Sequence, residues 1–222
     1  MITRTRSAGL LNHDVAAECA VLVIGCGAIG SNVVEYLARM GIGTIDIFDG
    51  DTVRPENLEP QVFIGGDIGL PKVEAVKGYA NVIDRDILVT PHNVMWTSDD
   101  HRHLLAEFDI IISGVDSMEA RLDIASVLHP ARFDHYIDAR MGSNVIEVFH
   151  VTPDNVENYV ALLASTKPMD IPCSMKAIAY NGRVAAGLVA RQVAAILNDE
   201  PVPDWIKVDL LAWSLQTSDL VL

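Results

Sequence analysis

Short apolar runs alternate along the chain with segments whose apolar residues recur at helical spacing. The predicted strands are 20–24, 44–48, 87–93, 108–113, 136–138 and 145–151. The predicted helices are 29–40, 72–82, 99–107, 117–128 and 177–197. This alternation favours a parallel sheet, because each helix returns the chain across a face of the sheet before the next strand begins. We therefore predict one α/β domain, 1–222, with a doubly wound and mostly parallel sheet.

Several segments depart from the alternation. Residues 142–144, Gly-Ser-Asn, separate two apolar runs and predict a hairpin, so the far edge of the sheet is expected to be antiparallel. Residues 49–69 are rich in proline and glycine and predict a long loop of the kind that is often functional. Residues 153–172 show little periodicity and predict a crossing loop, and residues 1–14 are expected to form an N-terminal arm.

A glycine-rich turn joins the first predicted strand to the first predicted helix. It reads Gly25-Cys26-Gly27-Ala28-Ile29-Gly30, and Asp49 follows nineteen residues after the last glycine, at the end of the second strand. Such glycines allow a tight turn, a close approach of backbone to phosphate, and a helix packed hard on the sheet. The helix N-terminus attracts phosphate, and a carboxylate at this spacing binds ribose hydroxyls. The pattern predicts a Rossmann-like nucleotide site, although a similar turn can also join a strand to a helix without binding anything.

Composition narrows the classes of partner. The chain has 222 residues, of which 50% are hydrophobic, and its formal charge is −14 at pH 7. That charge argues against a nucleic-acid or anionic membrane surface, because both would repel it. The three cysteines include no C-x-x-C pair, so neither a disulfide framework nor a structural zinc site is expected. We found no signal-peptide pattern or membrane-length apolar run, so a cytoplasmic location is expected.

Five segments in order resemble the ThiF/MoeB family of adenylating enzymes, which are related to the ubiquitin-activating enzyme. They are 25–31 (GCGAIGS), 48–53 (FDGDTV), 56–61 (ENLEPQ), 69–75 (GLPKVEA) and 114–116 (GVD). The likeness runs from about residue 20 to 150, and 173–197 is similar to the closing helix of the family. The resemblance implies ATP-dependent adenylation of a carboxylate, often the C-terminal glycine of a ubiquitin-like or sulfur-carrier protein, by a homodimer.

The resemblance also implies roles for individual residues. Asp49 would bind the ribose, Asn57 and Lys72 the phosphates, and Asp116 an Mg²⁺ ion that orders the triphosphate. Further nucleotide contacts are implied for Gly25, Gly27, Ala28, Ile29, Gly30, Asp51 and Gln61. Lys72 suits its role, because a cation in the first turn of a helix opposes the helix dipole unless an anion lies in front of it.

Each role has an ordinary alternative. Asp116 with Glu119 fits a helix N-cap and its partner, Asn57 fits a turn residue, and Lys72 could simply be solvated. Arg121 could orient Asp116 or form a surface ion pair. Arg140 resembles a position near the substrate carboxylate of the family, but a solvent contact at a strand end is the favoured interpretation.

Cys173 lies in the region where sulfur-transferring members of the family carry a reactive cysteine, and a helix N-terminus there would lower its pKa. Simple packing is the alternative interpretation, and it is also the one we favour for Cys26.

The chain departs from the family at Pro60, where an arginine that helps to neutralise the polyphosphate is usual. Arg4 and Arg6 are candidate replacements, because the N-terminal segment of the family can lend an arginine to the ATP site of the partner subunit. The zinc-binding cysteine pairs of many relatives are absent.

Three functions follow as hypotheses. The first is a homodimeric, ATP- and Mg²⁺-dependent adenylyltransferase acting on a protein or small-molecule carboxylate. An NAD-dependent oxidoreductase would use the same glycine turn and Asp49, but it would leave Asn57, Lys72 and Asp116 without a role. A nucleotide-binding subunit with weakened catalysis would explain Pro60.

Overall fold

The computed structural model of the protein describes residues 2–128, 133–166 and 177–220. Within these residues the strands are β1 (Ala20–Ile24), β2 (Thr44–Phe48), β3 (Leu88–His92), β4 (Ile110–Ser113), β5 (His135–Gly142), β6 (Val145–Val151), β7 (Trp205–Asp209) and β8 (Ser214–Ser218). The α-helices are α1 (His13–Glu18), α2 (Gly30–Met40), α3 (Lys72–Ile83), α4 (Ser98–His101), α5 (Met118–Leu128), α6 (Val156–Ser165) and α7 (Ala179–Leu197). The alternation of strands and helices over the first 128 residues agrees with the predicted pattern.

All eight of these strands join one sheet in the order β3-β2-β1-β4-β5-β6-β7-β8. The strands from β3 to β5 are parallel, while β5 to β8 pair antiparallel with their neighbours. The predicted hairpin joins β5 to β6, and its turn begins at Ser143 with a φ of 55°. The α/β, mostly parallel sheet with an antiparallel edge is therefore confirmed.

The sheet has a hydrophobic core on each face. Helices α2, α3 and α7 cover one face, where Val33, Val73 and Val189 are fully buried. Helices α5 and α6 cover the other face through residues such as Ile124 and Tyr159. Strand β1 contributes to both cores, since its side chains alternate between the faces. Because helices cover both faces of the parallel part of the sheet, the ends of its strands are the part left open for a ligand among the described residues.

The prediction that residues 153–172 form a crossing loop is wrong over half of that segment. Helix α6 occupies Val156–Ser165 and buries Val156, Tyr159 and Leu163 against the sheet. These positions follow the i, i+3, i+7 spacing of an amphipathic helix. Pro153 precedes the helix and therefore does not interrupt it.

Three smaller differences concern the ends of elements and of the chain. The predicted helix 99–107 is a short α4 followed by a 3₁₀ segment, Arg102–Glu107. The N-terminal arm contains a 3₁₀ turn and leads into α1. The β7–β8 hairpin was not predicted, because β8 is exposed along most of its length and carries no apolar alternation.

Candidate nucleotide site

The carboxyl ends of the parallel strands surround a cavity of about 700 Å³. It lies where the chain leaves β1 toward one side of the sheet and β4 toward the other, which is the switch point at which doubly wound folds bind ligands. Most of the predicted site residues line it: Gly25, Gly27, Ala28, Ile29, Asp49, Asp51, Asn57, Gln61, Lys72 and Asp116. Residues far apart in sequence thus meet in one place.

The glycine turn is shaped by close backbone contacts. Gly25 has a φ of 91°, and a Cβ atom on it would come 3.1 Å from the carbonyl carbon of Gly114. A Cβ atom on Gly30 would lie 1.8 Å from the Gly25 oxygen, so Gly30 supports the turn from behind. A Cβ atom on Gly27 would meet nothing within 4 Å. The middle glycine therefore faces open space, where a phosphate has room to approach.

Asp49 is fixed at the end of β2 by two backbone amides. The Cys26 N–H donates to its Oδ2 at 2.7 Å, and the Asp51 N–H donates to its Oδ1 at 2.8 Å. Each carboxylate oxygen keeps lone pairs for further donors such as ribose hydroxyls. Burial and the charge of Asp49 raise the pKa of the Cys26 thiol. Cys26 is therefore a protonated packing residue rather than a nucleophile.

Lys72 is buried, which contradicts the alternative that it is simply solvated. Only 7% of the residue is exposed, and its Nζ donates to Asp51 Oδ2 at 2.7 Å. The Lys72 backbone N–H also donates to the Asp51 carbonyl at 2.9 Å. Asp51 is half-exposed, so the pair faces the cavity with one ammonium whose other N–H donors are available.

The turn after Pro55 carries Asn57 and Gln61. Asn57 accepts the Arg54 N–H at 2.9 Å through its Oδ1, so it stabilises the turn while its amide group lines the cavity. The Pro60 carbonyl accepts from Asn32 Nδ2 at 3.3 Å. Gln61 Oε1 is buried and lacks a hydrogen-bond partner within the described residues. A buried polar atom without a partner is costly, which is consistent with a ligand contact there.

Asp116 is not the cap of α5. Ser117 Oγ accepts the Ala120 N–H at 3.1 Å, which is the N-cap hydrogen bond. Asp116 is exposed in the cavity, and the described part of the chain gives its carboxylate no hydrogen bond or ion pair. The capping alternative for Asp116 is therefore wrong, and the carboxylate is available to a ligand.

The donor set at Asp116 fits a magnesium ion held with a nucleotide. Among the described residues, no cluster of three or more His, Cys, Asp or Glu side chains could hold a metal alone. Mg²⁺ commonly binds one or two carboxylates together with phosphate oxygens and retained waters. A single unpartnered carboxylate beside the glycine turn suits that mode of binding.

Arg121 lies in the interior, so the interpretation of it as a surface ion pair is wrong. Its Nε donates to Asp138 Oδ1 at 3.0 Å, and it does not contact the Asp116 carboxylate. Burial alone would lower the pKa of Arg121, but the charge and hydrogen bond of Asp138, together with Tyr136 and Tyr159, raise it above its ordinary value. The guanidinium is therefore charged at every relevant pH.

Arg140 is not a solvent contact either. Its side chain is 14% exposed, its Nε lies 3.4 Å from Asp138 Oδ2, and its guanidinium carbon lies 4.1 Å above the Phe149 ring. Two arginines thus share the single negative charge of Asp138. Glu147 is the register partner of Arg140 and also lines the cavity, so the two arginines face two carboxylates. The sheet register places Arg140 on the α5–α6 face.

The N-terminal arginines do not reach the cavity of their own chain. Arg4 bonds to Asp84 and to the carbonyls of Ala38 and Arg39, where α2 ends. Arg6 is exposed. Cys173 falls outside the described residues, so its predicted role has no structural counterpart here.

Met95, Trp96 and Glu147 also line the cavity, and sequence reasoning missed them. Trp96 meets the Phe48 ring edge-on at 5.3 Å, next to the end of β2. The sequence did contain a signal for Met95 and Trp96. They follow the predicted strand 87–93, and the strand beside it in the sheet ends at Asp49, so both segments reach the same edge of the sheet.

Fold and cavity together define a Rossmann-like α/β protein with a nucleotide-type pocket at the switch point of its sheet. The ThiF family model matches residues 4–215, so the chain belongs to the ThiF family. No helix in the described ranges is both long and apolar enough to cross a bilayer.

Individual relatives are similar over smaller parts. The adenylyltransferase and sulfurtransferase MOCS3 of Aedes aegypti is 36% identical over 103 residues, which are 46% of this chain and 24% of MOCS3. The molybdopterin-synthase adenylyltransferase of Escherichia coli K12 is 32% identical over 110 residues, which are 49% of this chain and 44% of that enzyme. This chain therefore matches less than half the length of either relative.

A crystal structure of E. coli MccB with MccA-N7isoASN shares the fold. It aligns with a TM-score of 0.78 at 22% identity over 94% of this chain and 66% of MccB.

Proposed function

We propose that the protein is an ATP- and Mg²⁺-dependent adenylyltransferase that activates a carboxylate as an acyl-adenylate with release of pyrophosphate. The observation that carries the proposal is the convergence of Asp49, Lys72 and an unpartnered Asp116 around the open middle of the glycine turn. An NAD-dependent oxidoreductase would use Asp49 and the glycines, but it would leave the buried Lys72 and the unpartnered Asp116 carboxylate without a role.

Each side chain has a defined task in this reaction. Asp49 accepts from the ribose hydroxyls, and the glycine turn with the N-terminus of α2 receives the phosphates. Lys72 and Asn57 donate to the polyphosphate, while Asp116 would hold Mg²⁺, an ion that would supply positive charge opposite the pyrophosphate oxygens. The carboxylate oxygen attacks the α-phosphorus, and the bond to pyrophosphate breaks. No general base is needed, because a carboxylate is already ionised at neutral pH.

The two faces of the sheet separate the two partners of this displacement. Lys72 belongs to α3 on one face, and Arg140 lies above Phe149 on the other. The attacking and leaving oxygens of a phosphoryl displacement stand roughly in line on opposite sides of phosphorus. Lys72 therefore suits the pyrophosphate side and Arg140 the side from which the carboxylate arrives.

The substrate is proposed to be the C-terminal carboxylate of a small ubiquitin-like or sulfur-carrier protein, or a peptide carboxylate. Support comes from the relatives named for molybdopterin synthase and from MccB, which was crystallised with MccA. Homodimerisation is also proposed. Cys173 is a further candidate for thioester formation, in which its thiolate would attack the acyl-adenylate carbonyl and release AMP.

Carboxylate-dependent exchange of labelled pyrophosphate into ATP tests the activity. Small proteins and peptides that end in glycine or asparagine are to be supplied as carboxylates, with their C-terminal amides as controls. We expect pyrophosphate exchange that requires both the free carboxylate and Mg²⁺. We also expect Asp116→Ala to abolish this exchange. Tight ATP binding without exchange would favour a non-catalytic subunit, which the loss of the usual arginine at Pro60 would explain.

A further inference from the structure

Arg121 donates hydrogen bonds to the backbone on both sides of Asp116. Its Nη2 donates to the Val115 carbonyl at 2.5 Å, and its Nη1 donates to the Ser117 carbonyl at 3.4 Å. The same guanidinium reaches β5, where it donates to the Ala139 carbonyl at 3.3 Å as well as to Asp138. One side chain thus ties the short loop between β4 and α5 to the neighbouring strand.

Two further backbone hydrogen bonds hold this loop: the Gly114 N–H donates to the Ile24 carbonyl at 2.9 Å, and the Arg121 N–H donates to the Ser117 carbonyl at 3.3 Å. Within the described residues the Asp116 carboxylate has no hydrogen bond or ion pair, and Ser117 Oγ serves the helix cap. The direction of the carboxylate therefore depends on the backbone, which Arg121 holds by the two flanking carbonyls. We infer that Arg121 is a positioning residue that sets Asp116 for its ligand without touching that ligand, an inference that rests on the proposed function for the identity of the ligand.

Only an arginine can make this set of contacts. The guanidinium presents five N–H donors in a rigid fork, whereas a lysine offers three on one nitrogen and cannot reach three carbonyls and a carboxylate at once. Arg121 is 6% exposed and Asp138 is fully buried, so neither charge gains much from water. Arg140 approaches the other oxygen of Asp138 and so helps to hold the carboxylate with which Arg121 pairs.

A purely structural role would make a different prediction. If the Arg121–Asp138 ion pair only held α5 to β5, breaking it would lower the melting temperature and would weaken the binding of all ligands to the same extent. A positioning role instead loosens residues 115–117 and weakens the metal-bound triphosphate more than the nucleoside. The two roles are therefore separable by local exchange and by ligand comparison.

The first experiment compares amide hydrogen exchange in the wild type and in Arg121→Lys. Arg191→Lys serves as the control, since Arg191 is an exposed arginine that pairs with Glu200 at 2.7 Å. The amides of Gly114, Ala120 and Arg121, which donate to the Ile24 carbonyl, Ser117 Oγ and the Ser117 carbonyl, are expected to exchange about tenfold faster in Arg121→Lys only, with β1 unchanged, as in a local opening. Unchanged protection of these three amides, or a uniform loss across the protein, would overturn the inference. Asp138→Asn, which keeps the acceptor and removes the charge, replaces Arg121→Lys if that variant does not fold.

The second experiment measures binding of Mn²⁺-ATP by water-proton relaxation and of adenosine by calorimetry. Arg121→Lys is expected to weaken Mn²⁺-ATP about tenfold, equivalent to about 1.4 kcal/mol, and adenosine less than twofold. Equal losses for both ligands would contradict positioning. A wild type that binds neither ligand would refute the proposed function instead, while the exchange experiment would still decide the role of Arg121.

Discussion

Asp116 and Ser117 are neighbours with different roles, ligand binding for Asp116 and helix capping for Ser117. Substituting each residue separately should distinguish the two roles. Asp116→Asn is expected to remove the Mg²⁺-dependent part of ATP affinity with little change in the melting temperature, because its carboxylate stabilises nothing in the described fold. Ser117→Ala should cost about 1 kcal/mol through the lost cap, a shift of roughly 2–4 °C for a protein of this size. Calorimetric ATP titrations with and without Mg²⁺, beside thermal melts, provide the check. A large loss of stability in Asp116→Asn would restore the capping role to Asp116.

Lys72 supplies the second prediction at this scale. Lys72→Met should weaken ATP about tenfold or more while leaving adenosine nearly unchanged, because the ammonium is aimed at phosphate and not at the base. Titrations with ATP, AMP and adenosine separate these effects. Asp51→Asn is the matched control, since it removes the partner of Lys72 and keeps the lysine. Equal weakening of all three ligands by Lys72→Met would mean that the lysine acts through the fold.

Sequence could place Asp49, Lys72 and Asp116 because each follows a recognisable strand end or helix start. It could not place the contacts of Arg121. Those contacts depend on which strand lies beside β4, and a parallel neighbour is fixed only when the sheet forms.

The antiparallel pair β5 and β6 carries a titratable contact between His135 Nδ1 and His150 Nε2 at 3.0 Å. Burial and the neighbouring His135 lower the pKa of His150 to about 4, and burial also lowers the pKa of His135. A histidine whose folded pKa lies below its unfolded value of about 6.5 leaves stability intact above pH 6.5. That stability is lost as the pH falls from about 6.5 toward 4.

Urea unfolding at several pH values between 7.5 and 4.5 tests this element. The wild type should lose stability with a slope of up to about 1.4 kcal/mol per pH unit from each histidine. His150→Gln should show a shallower slope, although its stability at pH 7.5 is expected to be lower because the side chain is buried. An unchanged slope in that variant would place the acid sensitivity elsewhere.

Strands and helices could be predicted from the sequence where apolar and polar residues follow a regular pattern. Strands β1 and β4 are nearly continuous apolar runs, as expected of strands buried on both faces. Helix α6 was missed because prolines flank it, and β8 because an exposed edge strand carries no alternating pattern.

At the scale of the whole molecule, the proposed homodimer would use an N-terminal arm to replace the charge missing at Pro60. Arg4 is committed to Asp84 and to the end of α2 in its own chain, so Arg6 is the better donor for a partner subunit. Arg4→Met should lower stability, whereas Arg6→Ala should lower turnover and leave the fold intact. Thermal melting and pyrophosphate exchange measure the two effects.

Subunit exchange sharpens that prediction. Mixing a protein truncated by residues 1–7 with Asp116→Ala should restore part of the activity, because the heterodimer has one site with an intact Asp116 and an intact arm from its partner. Full activity of the truncated protein alone would contradict a shared site.

The central claim is that the cavity at the strand ends binds ATP with Mg²⁺ and not a dinucleotide. Calorimetric titration of the purified protein with Mg²⁺-ATP and with NAD tests it most directly. We predict saturable binding of Mg²⁺-ATP at one site per chain, at least tenfold tighter than NAD and weakened by both Lys72→Met and Asp116→Asn. Tighter binding of NAD, or ATP affinity indifferent to both substitutions, would contradict the account.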